Sequence, residues 1–206
     1  MSNSAALSIK LPSTSIASSL ISRVLESASE QRRVTVLDFG MAAPATLSFF
    51  NQFRCKLYFA GLTESTTDQF NADDLGHGAL VKQLQAAINL PVDEKIDIVL
   101  FWDLFCFLTM PAVKALGEAL SLHIKRSTRA YSISLLNNRT QLPAYSYGIE
   151  AVDRLAQLPR VAPQPTCYVH SRQDLGSNLN DWAIDRSCLL VDGRVESILF
   201  THPEGH

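Results

Sequence analysis

Val34-Thr35-Val36-Leu37-Asp38-Phe39-Gly40-Met41-Ala42-Ala43-Pro44 is the stretch on which the reading of the fold turns. Its first six residues are β-rich and nearly continuous in apolar character, the pattern of a short strand covered on both faces, and Gly40 stops it abruptly. Pro44 suits the first turn of a helix, where its missing N–H would find no partner anyway, and that helix places Leu47, Phe50 and Phe53 on one face. Strand, tight turn and helix in this order open an alternating α/β chain.

The alternation continues downstream. Cys55 to Ala60 is a second strand-length run closed by Gly61, and Ile96 to Trp102 is the most apolar strand of the sequence. Leu80, Leu84, Ala87 and Ile88 predict a helix between them, and the rest of 62–95 leaves room only for a sparse edge strand. Thr109 and Pro111 open a helix whose inner face carries Val113, Leu116, Leu120 and Ile124, and Arg129 to Leu136 is a further strand. Two helical stretches follow. One surrounds Ile149, Val152 and Leu155; the other opens at Ser171 with Asp174 three residues later, a capping box, and Pro159, Pro163 and Pro165 mark the loop between them. Ile184 to Val191, Asp192-Gly193 and Arg194 to Phe200 spell a hairpin. Upstream, Ile16, Leu20, Val24, Leu25 and Ala28 predict an amphipathic helix from Ser15, ending in the polar stretch Glu30 to Arg33. The expected fold is a doubly wound, Rossmann-like, mainly parallel sheet with helices on both faces and a C-terminal antiparallel hairpin. A flexible tail over 1–14 and a single domain over 15–206 complete the expectation.

Composition narrows the classes of function. The 206 residues are 47% hydrophobic and 18% charged, which excludes a disordered or collagen-like chain. Eighteen Lys and Arg against 20 Asp and Glu leave a net charge of −2, so no basic footprint points to nucleic acid or an anionic membrane, and a small neutral or zwitterionic ligand fits better. Cys55, Cys106, Cys167 and Cys188 form no C-x-x-C pair, which suggests a reducing, cytoplasmic setting. Cys167 and His170 have no second pair to complete a zinc site, so no metal is expected; Cys106 between two phenylalanines reads as a small buried hydrophobe.

In an open sheet of this kind a ligand settles at the carboxyl ends of the strands where strand order reverses. If the Val34 and Ile96 strands straddle that point, Asp38 to Gly40 and Trp102-Asp103 meet at one crevice, and the following helix N-terminus offers free N–H groups. The structural alternative is that Gly40 only turns the chain and Asp38 only accepts a nearby backbone N–H.

Val36 to Pro44, followed by a second strand, the Ile96 to Trp102 strand and a terminal hairpin, resembles the class I S-adenosylmethionine-dependent methyltransferases over roughly residues 30 to 200. That family carries D/E-x-G-x-G-x-G in its first loop; here Asp38 and Gly40 match, whereas Ala42 and Pro44 stand at the other two glycine positions. The resemblance implies S-adenosylmethionine as cofactor, held by Asp38, Gly40, Ala42 and Trp102, with Glu64 as the nearest candidate for the ribose hydroxyls. It also implies methyl transfer to an acceptor, either a small molecule or a protein, with Asp103 placed as base and Tyr145 and Tyr147 lining an acceptor pocket. Two other readings share the element order. Ala42, Pro44 and the cluster Phe101, Trp102, Phe105 and Phe107 suit a catalytically silent relative that binds a protein partner, and an unrelated flavodoxin-like domain would lack an antiparallel Arg194 to Phe200 strand inside the sheet.

Overall fold

The computed structural model describes residues 13–26, 33–72, 75–160, 166–179 and 181–201. Strand β1 (Thr14–Ala17) and helix α1 (Ile21–Leu25) precede β2 (Val34–Asp38), α2 (Pro44–Phe50) and β3 (Cys55–Phe59). Helices α3 (Glu64–Thr67) and α4 (His77–Ile88) lead to β4 (Ile98–Trp102), and α5 (Met110–Leu120) leads to β5 (Arg129–Leu135). Then follow β6 (Tyr145–Ala151), β7 (Arg154–Pro159), α6 (Arg172–Asn178), β8 (Trp182–Leu189) and β9 (Arg194–Thr201).

Among the described residues, six strands form the main sheet in the order β3-β2-β4-β5-β9-β8. The first four run parallel, and β9 enters antiparallel between β5 and β8. β2 has β3 on one side and β4 on the other, so strand order reverses there. The doubly wound, mainly parallel sheet with a C-terminal hairpin is therefore present, and β9 inside it removes the ground for a flavodoxin-like reading.

Period-two alternation assigns each strand residue to one of two cores. Leu37, Phe39, Val99, Phe101 and Ala130 pack with α4, α5 and α6, whereas Val34, Val36, Ile98, Leu100 and Tyr131 pack with α1 and α2. On that second face lies a separate three-stranded sheet, β1-β7-β6, which contributes Tyr147, Ile149 and Leu155 to the same core. Gly148 lets this small sheet close on α2, since a Cβ there would stand 3.0 Å from the Ala43 Cβ and 3.2 Å from the Thr46 Oγ1.

The small sheet corrects the sequence reading twice. Residues 145–159 form a β-hairpin and not a helix, with Ile149 directly opposite Leu155 across the ladder. Val152, three residues from each, completes an apparent i, i+3 series, and cross-strand pairing of the outer two produces the same spacing when the turn lies between them. Near the N-terminus, Thr14–Ala17 pairs antiparallel with β7, so the expected tail-then-helix boundary gives way to a strand followed by a helix of five residues. β-branched Thr14 and Ile16 favour the ladder. Ala28 and Glu30 to Arg32 lie outside the described residues. Two smaller differences concern α2, whose buried face is Thr46, Phe49 and Phe50 with Leu47 exposed, and 62–95, which among the described residues holds α3, a 3-10 turn and α4 but no strand.

Expected features that hold include the Ser171–Asp174 capping box and the Asp192-Gly193 turn, where Gly193 adopts φ +84°. At the outer strand β8, a bulge lies between Ile184 and Arg186, and the Arg172 guanidinium donates to the carbonyls of Ile184 at 2.7 Å and Asp185 at 3.2 Å. Among the described residues no helix is long and apolar enough to cross a membrane.

A buried carboxylate fastens the N-terminal segment. Glu196 on β9 is 1% exposed and accepts from the Ser18 hydroxyl at 2.5 Å, the Ser19 N–H at 3.0 Å, the Ser19 hydroxyl at 2.7 Å and the Tyr131 hydroxyl at 2.8 Å. Charge-assisted bonds of this kind are the strong ones, so Glu196→Ala is expected to cost about 3 kcal/mol in denaturant unfolding. Limited proteolysis should then cut near residues 18–26 first, and a cleavage pattern identical to wild type would refute the role.

Candidate functional site

The parallel register of β2 and β4 sets Asp38 opposite Leu100, so the ends of both strands come out side by side at the switch point. The even positions Val34, Val36 and Asp38 share a face with Ile98, Leu100 and Trp102, and Asp38 and Trp102 therefore meet. The ladder between β4 and β5 shifts register between Leu100 and Trp102, and Trp102 takes φ +52°. A bulge followed by a left-handed residue redirects a side chain, here laying the indole back across the crevice.

The indole fills the space that the strand ends would otherwise leave. Its Nε1–H donates to Asp38 Oδ1 at 2.6 Å, its ring stacks on Tyr147 with centroids 5.6 Å apart and 17° between planes, and Tyr131 meets it edge-on at 5.9 Å. Trp102 is 2% exposed. Gly40 is what allows the approach, because a Cβ there would stand 3.1 Å from the indole Cδ1 and 3.1 Å from Asp38 Oδ1. What remains is a cavity of about 20 Å³ bordered by Gly40, Met41, Thr63, Asp103, Ser146 and Arg160. Such a volume accommodates about one water molecule.

Asp38 is the electrostatic centre of this arrangement. It is wholly buried, accepts the Gly40 N–H at 2.8 Å through the oxygen that also accepts from Trp102, and leaves Oδ2 without a hydrogen-bond partner among the described residues. Burial pushes its carboxyl up from 3.8 to about 7, against the opposing pull of the Trp102 and Gly40 hydrogen bonds. Asp103 is 6% exposed and lies 3.8 Å from the Arg160 guanidinium. Burial and the neighbouring Asp103 push the Tyr147 phenol well above its ordinary value, and the same two causes raise the Cys106 thiol, which is 1% exposed. A thiol so placed is a poor nucleophile.

The structure thus brings together Asp38, Gly40 and Trp102, with Asp103, Tyr145 and Tyr147 around the residual cavity. Tyr145 and Tyr147 lie on β6, not on a loop after β5. Ala42 is exposed and outside the cavity lining, and Glu64 opens α3 behind Thr63. Sequence reasoning missed Arg160 and Arg194. Arg160 follows β7 and reaches Asp103 across 57 positions, and Arg194 reaches Tyr147 across 47, separations at which no local pattern exists.

No protein-family model matches the sequence, and no curated protein matches it. Solved structures similar to the chain include the glycopeptide N-methyltransferase MtfA with S-adenosylmethionine, at 10% identity and TM-score 0.46 over 90% of this chain and 95% of that one. A methyltransferase from Clostridium acetobutylicum, dependent on S-adenosylmethionine, matches at 10% identity and TM-score 0.47 over 89% of each chain. The PH0226 protein of Pyrococcus horikoshii matches at 9% identity and TM-score 0.49, covering 89% of this chain and 88% of its own. The doubly wound, mainly parallel architecture of this chain rests on its own strand order and directions.

The raised Asp38 carboxyl has a pH signature. Because its folded-state value lies above the unfolded one, protonation favours the fold: the contribution is full below about pH 4 and is lost as pH rises through about 7. The stability of wild type relative to Asp38→Asn, which keeps an acceptor for Trp102, is therefore expected to fall by up to about 4 kcal/mol between about pH 4 and pH 8. Urea unfolding at both ends of that range measures it, and a difference independent of pH would show that Asp38 does not titrate in this window.

Proposed function

We propose that the crevice at the ends of β2 and β4 is a methyltransferase-type site for S-adenosylmethionine, held in a closed state by Trp102. The observation that carries this reading is the wholly buried Asp38, whose Oδ2 lacks a hydrogen-bond partner among the described residues beside a glycine that permits close approach. A buried carboxylate with one satisfied oxygen favours a cationic ligand, and S-adenosylmethionine brings both an ammonium and a sulfonium. The polar groups suit that ligand, but the closed volume does not: a space for about one water cannot take a nucleoside.

Binding accordingly requires the indole to leave. Stripping a buried tryptophan of its packing costs about 3–5 kcal/mol. That cost lowers the apparent affinity of a closed crevice by roughly a hundred- to several-thousand-fold relative to an open one. With the indole displaced, Asp103, Tyr145 and Tyr147 would border the acceptor side, and Asp103 is the carboxylate we assign to the acceptor's proton.

A second reading has its own observation. Trp102 at φ +52° with three aromatic and hydrogen-bonded contacts is a well-determined plug, and it favours a catalytically silent module that uses the fold to bind a protein. Calorimetric titration with S-adenosylhomocysteine separates the two. The expected result is weak binding by wild type and binding roughly a hundred-fold tighter by Trp102→Gly, a residue suited to the left-handed backbone, with Asp38→Ala in that background abolishing it. A folded Trp102→Gly that binds nothing at millimolar ligand would overturn the cofactor reading and leave the silent module.

A further inference from the structure

The ring that seals Trp102 is itself held from the start of β9. Arg194 opens β9 immediately after the Asp192-Gly193 turn and is 1% exposed, which is rare for an arginine. Its Nη1 donates to the Tyr147 hydroxyl, and its guanidinium carbon lies 5.6 Å from the centroid of that ring. Nε and Nη2 both donate to Asp192 Oδ2, at 2.8 and 2.5 Å, and the Arg194 N–H donates to Asp192 Oδ1 at 3.2 Å. The guanidinium is thus fixed in orientation by its own hairpin turn, which leaves Nη1 to project onto the small sheet.

We infer that Arg194 is the positioning residue that keeps the crevice closed, by anchoring the Tyr147 hydroxyl so that the Tyr147 ring stays stacked on Trp102. The contact joins two elements that no backbone ladder connects, since β6 belongs to the small sheet and β9 to the main one. Trp102 also has two neighbours on its own sheet, Asp38 and Tyr131. Tyr147 is the only stacked partner that arrives from outside that sheet among the described residues, so the Arg194 bond sets whether the stack persists. The inference rests on the proposed function for its purpose, but the closure itself is measurable without ligand.

Incorporation of 5-fluorotryptophan gives two fluorine resonances, from Trp102 and from Trp182, which is wholly buried and packs against Phe101 on the other face of the sheet. In Tyr147→Phe, which keeps the ring and loses the anchor, and in Arg194→Met, which keeps the stem and loses the donors, the Trp102 resonance should move. Its solvent isotope shift should grow at least two-fold while the Trp182 resonance stays unchanged. An unmoved Trp102 resonance in both variants overturns the inference, as does a parallel change at Trp182, which would mean general loosening. Titration with S-adenosylhomocysteine then separates the two proposals. Roughly ten-fold tighter binding by Tyr147→Phe supports both; an exposed Trp102 with no binding keeps the closure and discards the cofactor; equal binding by wild type and variant with an unmoved resonance discards the closure alone.

Discussion

The hydrogen bond from the Trp102 indole to Asp38 is the constraint around which the rest of the site is arranged. A carboxylate without any exposed surface needs donors, and here they are the indole and the Gly40 backbone, both on one oxygen. Keeping the indole there demands the bulge in β4, the left-handed backbone at Trp102 and the absence of a side chain at Gly40. Each of these carries a local cost of order 1 kcal/mol or more, which the surrounding packing offsets. Tyr147 and Tyr131 supply much of that packing, and their positions in turn fix how the small sheet lies on the main one.

Above the crevice the charges form two pairs, Asp103 with Arg160 and Asp192 with Arg194. Three of these side chains expose less than a fifth of their surface, and only Asp192 reaches the solvent appreciably. Pairs shielded to this degree add less free energy than their count suggests, because desolvation opposes attraction, whereas removing one partner strands the other. Their effect is on geometry. One ties the end of β7 to Asp103 at the cavity, and the other fixes the Arg194 guanidinium that donates to the Tyr147 hydroxyl.

Most of the main sheet was legible because its signals are local. Val34 to Asp38, Cys55 to Phe59 and Ile98 to Trp102 are short apolar runs ended by glycine or polar residues, and Asp192-Gly193 marks its own hairpin. The small sheet was not legible. Tyr145, Tyr147 and Ile149 do alternate, but Val152 and Leu155 extend Ile149 into an apparent helical stripe, and only the partner strand decides between the two periods. β1 has four residues, too few for any pattern, and becomes a strand because β7 offers it an edge. For the site, neighbourhood could be read and occupancy could not. Asp38, Gly40 and Trp102 follow from strand order, whereas the direction of the indole depends on one backbone angle and one distant tyrosine.

Arg172 bears on what happens beyond the molecule. A sheet's last strand normally presents bare carbonyls to any chain drifting past, and that invitation is how unrelated copies begin to stack into larger ribbons. By covering the oxygens of Ile184 and Asp185 beside a kink in β8, a single guanidinium withdraws two consecutive acceptors from the perimeter. That stretch of the flank, next to the kink, therefore offers a newcomer fewer partners than an uncovered edge would.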